Sequence, residues 1–288
     1  MAAPQTNMVP QTIILSMNGR LVGPIKSFEG GGFRGGILDE SIGTRGQRRI
    51  SAIEIAPFSM EIGAMPTDAV LQWIGASLRG EYDRRTLSIS TLTAGKWNYE
   101  LDGYEGLLTE TTMPTLDRRS NADVFIKIKV QVERETRREF ATPGAPQHAP
   151  PLNPLSGSEF RFTIDHVLPG GQEVQRVESF TNKQGVKKLY TGHDRSPQIE
   201  PTRLDFPNVI FTLPAVQAGE LLKWYEQVTA SSARSLEKRN GRIEFFSRGK
   251  SLVMGYDLYD VGLVGVSTIG GQVKAEIYCS RMDVKAAA

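Results

Sequence analysis

Apolar and polar residues alternate with period two along much of the chain, and two stretches switch to a helical period. Val124, Ile126, Ile128, Val130 and Val132 alternate with Phe125, Lys127, Lys129, Gln131 and Glu133. That is the pattern of a strand with one buried face. Met60, Ile62 and Ala64 alternate in the same way, as do Phe211, Leu213 and Ala215. TLSIST (86–91), RIEFFS (242–247) and, more weakly, GQVKAEIYCSR (271–281) are further strands. The helical period occupies 67–80, where Val70, Trp73, Ile74 and Leu78 share a face and Thr67 after Pro66 is a suitable cap. It returns at 218–230, with Leu221, Trp224, Tyr225 and Val228 on one face.

These elements occur twice in the same order. IKSFEGG (25–31) parallels VESFTNK (177–183), and IEIAPFSMEIGA (53–64) parallels LDFPNVIFTLPA (204–215). Trp73 and Trp224 hold the same place in the two helices, as aromatic anchors of helix to sheet. LDGYEGLL (101–108) parallels YDLYDVGL (256–263), pairing Asp102 with Asp257, Tyr104 with Tyr259 and Glu105 with Asp260. Between the halves lies FATPGAPQHAPPLNPLSGSE (140–159), whose proline and glycine content suits an extended linker. The expected organisation is a first β domain at 1–139, a linker at 140–159 and a second β domain at 160–288. The fold class is mainly β, a small barrel or sandwich with one flanking α-helix per domain.

Composition narrows the function. The chain has 288 residues, 39% hydrophobic and 23% charged, enough for packed cores. Net charge is +2, and neither half is strongly basic, which disfavours DNA wrapping by bulk charge. The single cysteine, Cys279, rules out an internal disulfide and reads as a small core residue. No apolar run reaches the length of a membrane span, and the N-terminal residues lack a signal pattern, so a soluble, intracellularly made protein is expected.

Candidate chemistry is sparse. His148 lies in the linker, and His166 and His193 lie in separate loops without a second ligand at metal spacing. No nucleophile elbow is present. Asp102 with Glu105, and Asp257 with Asp260, fit surface or turn roles better than acid–base catalysis. EGGGFRGG (29–36) lacks the Lys-Ser/Thr ending of a phosphate loop and reads as a flexible inter-strand loop. No catalytic, cofactor or metal site is expected. Lys127 and Lys129 lie on one strand face, and 239–250 carries Arg239, Arg242, Arg248 and Lys250.

The block order resembles the tail-tube proteins of contractile phages and related injection systems, including the type VI secretion tube protein. The matching positions are Ile13 to Met17, Ser27-Phe28-Glu29, a loop from Gly30 to Arg49, the strand Ile53 to Ile62, the helix with Trp73 and the strand Val124 to Val132. In the second half they are Phe160 to Ile164, Ser179-Phe180, Thr181 to Arg203, Leu204 to Leu213, Trp224 and Val273 to Cys279. The chain departs from the simple family member by carrying two such domains.

The resemblance implies a structural virion protein without catalysis, built into rings of six tube domains around a lumen. Rings would stack into a conduit for DNA or cargo. Two domains per chain leave three arrangements: three chains per pseudo-hexameric ring, six chains across two layers, or six chains with the second domain outside. Implied partners are further copies of itself, the tail sheath, baseplate or hub proteins, the tape-measure protein, and DNA passing without sequence-specific contact. The implied location is a virion tail or injection particle, assembled in the host bacterial cytoplasm. Phe33, Arg34 and Ile37 would contact a neighbouring subunit, and Lys127 and Lys129 would face the lumen or a neighbour. A hub or tube-initiator adaptor is the alternative. A carbohydrate- or cell-surface-binding module, with Trp97 and Tyr99 stacking on sugars, is the alternative of another class.

Overall fold

Alternating apolar residues give a fold built mostly of antiparallel strands, with two α-helices among the described residues. The computed structural model describes residues 11–42, 45–64, 68–93, 96–138, 151–191, 196–230 and 238–287. The first half runs β1 (Gln11–Met17), β2 (Arg20–Ile25), β3 (Ser27–Glu29), β4 (Phe33–Ile42), β5 (Arg45–Ile55), β6 (Phe58–Ile62), α1 (Ala69–Leu78), β7 (Arg85–Thr93), β8 (Lys96–Met113), β9 (Leu116–Asp117), β10 (Asp123–Val124), β11 (Ile126–Gln131) and β12 (Arg134–Arg138). The second runs β13 (Leu155–Ile164), β14 (Arg176–Val177), β15 (Phe180–Leu189), β16 (Gln198–Asp205), β17 (Val209–Pro214), α2 (Gly219–Ala230), β18 (Arg239–Ser247), β19 (Leu252–Ile269), β20 (Gln272–Tyr278) and β21 (Arg281–Ala286).

The longest strand of each half organises its domain. β8 lies between β7 and β12 along its first part and pairs with β11 beyond Glu105. β19 lies between β18 and β21 and pairs with β20 beyond Asp260. Glu105 and Asp260 mark the change of sheet with φ of 53° and 54°. Positive φ is uncommon for a residue with a Cβ, so its recurrence at matched places identifies a shared backbone device.

The ladders repeat residue by residue. Ile128 stands opposite Met60 and Thr111, and Ala275 stands opposite Phe211 and Val266. The Arg134 guanidinium lies 4.7 Å from the Tyr104 ring, and that of Arg281 lies 4.1 Å from the Tyr259 ring. Asp102 accepts from Ser88 at 2.5 Å and pairs with Arg138 at 3.4 Å. Asp257 pairs with Arg242 at 2.7 Å and Lys285 at 2.9 Å. Both aspartates are buried in strands, not at the surface or in turns as the sequence suggested. In each half these polar contacts join three adjacent strands, β7, β8 and β12 or β18, β19 and β21.

Three further expectations change. Residues 155–159 are not linker, because β13 begins at Leu155. The prolines end at Pro154, so every later residue of this stretch keeps a ladder N–H. The rest of the expected linker lies outside the described residues up to 150, and at 151–154 it packs on the first half, where Ala64 N donates to Asn153 O at 2.7 Å. Val124 does not continue β11, since Asp123–Val124 pairs with β13 instead. The counterpart of Ser27-Phe28-Glu29 is Arg176-Val177-Glu178, because Phe28 and Val177 oppose the matched residues Met60 and Phe211.

The helices lie on the sheets through their tryptophans. Trp73 is fully buried and its Nε1 donates to Asp83 O at 2.7 Å. Trp224 is buried under the Arg239 guanidinium, 5.2 Å from its ring. Thr67 and Pro66 lie outside the described residues, and Asp68 precedes the first turn of α1.

Candidate assembly interface

The glycine-rich stretch is a turn followed by a strand. Gly30, Gly31 and Gly32 have φ of 111°, 72° and 81°. A Cβ on Gly30 would lie 1.9 Å from Pro57 O, so only glycine fits. The turn is held by Gly31 N to Ala56 O, Ala56 N to Gly32 O, and Gly32 N to Glu135 Oε2 at 2.7 Å. From Phe33 the chain becomes β4, which among the described residues pairs only with β5. The described part of the expected loop from Gly30 to Arg49 is therefore a turn followed by two paired strands. Gly35 and Gly36 sit within the strand without positive φ, where Cβ atoms would meet Ile50 and Ser51.

This hairpin carries the predicted contact residues into solvent. Phe33 is 65% exposed and Ile37 68%, with Leu38 and Ile50 also exposed. Arg34 is exposed opposite Glu54. Large apolar side chains are thus exposed along this hairpin, the kind of patch that is uncommon on an isolated chain.

The second half contains the same hairpin, docked. Arg34 opposes Glu54 and Lys183 opposes Asp205. In both hairpins the register shifts around one glycine, Gly36 and Gly185, and then Ile37 opposes Ile50 as Val186 opposes Pro201. Thus Phe33 matches Asn182 and Gly31 matches Phe180. β15 adds to the β8 edge of the first half: Phe180 opposes Met113, Thr181 Thr112, Asn182 Thr111 and Lys183 Glu110. Phe180, Asn182 and Ile199 are buried there.

Further contacts lock the two halves together. Glu133 accepts from Ile199 N at 2.7 Å and from Arg84 at 2.5 Å, and Arg84 also donates to Ile199 O. Glu54 receives Lys188 at 2.8 Å and the Tyr190 hydroxyl at 3.0 Å, which hold its carboxyl below the usual range. α1 lies against β21: a Cβ on Gly75 would come 2.8 Å from Val284 O, and Arg79 reaches Asp283 at 3.0 Å. The segment after β8 crosses into the second half, where β9 pairs with β14 and β10 with β13. Its Arg118 donates to Val174 O and Phe160 O at 2.8 Å and to Gly171 O at 3.2 Å. Burial lowers the Arg118 pKa from the ordinary arginine value, against the attraction of Glu159 and Glu173.

The two predicted lysines lie on the polar face of this sheet. Lys129 pairs with Glu110 at 3.2 Å. Lys127 is exposed, with Glu61 and Thr112 opposite it on the two sides. Lys274, the counterpart of Lys127, pairs with Glu178 at 2.9 Å. The face therefore carries both signs of charge.

Chemical groups are scattered. Among the described residues there is no group of three or more His, Cys, Asp and Glu able to hold a metal ion. His166 is exposed in a turn, while His148 and His193 lie outside the described residues. The side chains of Trp97 and Tyr99 also lie outside them. Cys279 is buried, and that burial pushes its thiol up to about 12. No helix among the described residues is long and apolar enough to cross a membrane.

Sequence reasoning found the exposed hairpin residues but missed Arg84, Arg118 and Glu133. Its misplacement of Phe28 against Phe180 hid the equivalence of the hairpins. The shared Gly36-Ile37 and Gly185-Val186 dipeptides were the signal that could have corrected it. No protein-family model and no curated protein matches the chain.

Proposed function

We propose that the chain is a structural ring subunit of a tail-tube-type conduit, working by assembly and not by catalysis. The observation that carries this reading is the β8–β15 ladder, which joins the two domains edge to edge. Joining domains by their sheet edges is how a ring of small β domains becomes one closed wall, and closure removes exposed edges. The block order that resembles tail-tube proteins supports the same reading. The conduit would pass DNA or cargo along a polar wall without sequence-specific contact. Further copies of the chain, a sheath, baseplate or hub proteins and a tape-measure protein would be its partners, in a virion tail or injection particle assembled in the bacterial cytoplasm.

The side-by-side placement of the two domains favours three chains per pseudo-hexameric ring over the two-layer and outside-domain arrangements. It also supports a second reading, a hub or tube-initiator adaptor that presents threefold symmetry to a spike and six domains to a tube. Mass photometry separates the two. Open-ended stacks indicate the tube subunit, and a closed trimer that does not stack indicates the adaptor. A monomer at every concentration overturns both.

A further inference from the structure

The interface between the two halves has two sides, and each side exists twice. The first half contributes the C-terminal edge of β8 and the outer face of α1. The second half contributes the β15–β16 hairpin and β21. By the residue equivalences above, the counterparts of β8 and α1 are β19 and α2, and those of the hairpin and β21 are β4–β5 and β12. Each counterpart exposes part of its surface: β4–β5 at Phe33 and Ile37, α2 at Leu222 and Tyr225, β19 at Val264 and Ile269, and β12 at Arg134, Arg137 and Arg138.

Their exposure follows the match. Trp73 and Trp224 are equivalent, so Leu71 and Ile74 match Leu222 and Tyr225. Leu71 and Ile74 are buried, whereas Leu222 and Tyr225 are 38% and 41% exposed. Among the described residues, β19 beyond Val261 pairs only with β20, and it exposes Val264 and Ile269. Opposite charges add to the fit. Where Gly75 meets Val284 within the chain, the matched residues are Glu226 on α2 and Arg137 on β12, both exposed.

We infer that the β4–β5 hairpin of one copy adds to the β19 edge of a second copy of this chain, with Phe33 opposite Val266 and Arg34 opposite Gly265. This is the register of Asn182 on Thr111 and Lys183 on Glu110, carried to the matched residues. Main-chain pairing of this kind supplies affinity, while the alternate side chains supply specificity. At the same time α2 meets β12, placing Leu222 and Tyr225 on the strand that carries Arg134, Arg137 and Arg138. Each copy presents the hairpin at one end and the open edge at the other, so the contact repeats in one direction.

Gly30, Gly31 and Gly32 are the hinge of this step. They stand where the docked hairpin has Ser179, Phe180 and Thr181. Straightening at Gly31 and Gly32 lets them pair with Thr268 and Ser267, as Phe180 and Thr181 pair with Met113 and Thr112. Glycine makes both the bent and the extended backbone accessible. The inference deepens the ring reading and rests on it only for closure of the repeat.

Engineered cysteines test the register. In a Cys279→Ala background, Arg34→Cys and Gly265→Cys are made in separate chains. Both sites tolerate the change, since Arg34 is exposed and a Cβ on Gly265 meets nothing within 4 Å. Mixing the two single variants under mild oxidation should give a covalent dimer at least tenfold above either variant alone. Replacing Arg34→Cys by Leu38→Cys should abolish it. Joining both cysteines in one chain should give a covalent ladder. A ladder that ends in a closed trimer supports the inference and the ring. A ladder that never closes supports the inference and contradicts the ring. Rings or trimers without the 34–265 disulfide overturn the inference and leave the ring reading standing. Tyr225→Glu on the exposed face of α2 gives a readout independent of cysteines: dissociation to monomer is expected, and unchanged association overturns the inference.

Discussion

Phe33 and Asn182 occupy the same position in two hairpins of matching register, yet Phe33 is 65% exposed and Asn182 2%. The difference lies in what the hairpins touch. The second adds to the β8 edge, whereas among the described residues the first pairs with no third strand and touches the rest of the chain through Glu54, which meets Lys188 and Tyr190, and through the turn at Gly30 to Gly32.

Substituting the exposed hairpin should therefore separate association from folding. Phe33→Asp with Ile37→Asp removes two large apolar side chains that rest on no core. The thermal midpoint should stay close to that of the parent, because surface substitutions change stability by about 0.5 kcal/mol or less. Mass photometry should show loss of the assembled species. A double variant that assembles like the parent would exclude this surface.

Gly30 of the hinge and Gly46 of β5 differ in what they tolerate. Gly30→Ala places a methyl group on Pro57 O at positive φ, and should cost more than about 1 kcal/mol. Gly46→Ala, where a Cβ meets nothing within 4 Å, should cost well under that. Urea midpoints of the two variants provide the comparison.

Arg118 ties the crossing segment to the second half through three backbone carbonyls. Arg118→Ala leaves those acceptors without their donor and should cost about 2–3 kcal/mol. Arg118→Lys should recover little, because a single ammonium does not reproduce the guanidinium fork. Thermal unfolding of both variants tests the difference.

Cys279 predicts a pH dependence. Its folded thiol is held up near 12 by burial, above the unfolded value. The neutral thiol is the form the core accepts. Its contribution to stability is full below the ordinary thiol pKa and is lost as pH rises toward 12. At about pH 8, thiol reagents should label the unfolded chain rapidly and the native chain only slowly. Rapid native labelling would contradict the burial.

The period-two runs that form β6, β11 and β17 were legible as strands because their apolar residues face cores made by their own half, whereas Val124, read as part of the β11 run, pairs with β13 of the second half. The helices were legible through Trp73 and Trp224 for the same reason. What pairs with what was not legible. β15 reads like β4 in local pattern, and only tertiary contact decides that one adds to β8 while the other joins no third strand among the described residues. Arg118 is a surface-type residue in a short irregular segment, so nothing local foretold its burial against Phe160 and Val174. Asp102 and Asp257 were matched correctly as a pair, but their burial depends on cations from neighbouring strands. The residues at Gly30 to Gly36 suggested a loop because glycine is poor in strands, and nothing local marked Phe33 as the start of one.

The central claim is that this chain assembles laterally, domain edge to domain edge, into a closed ring. Electron microscopy of the purified protein over a range of concentrations tests it most directly. Class averages should show rings of six similar lobes around a lumen, contributed by three chains. A uniform population of isolated two-lobed particles at every concentration would contradict it.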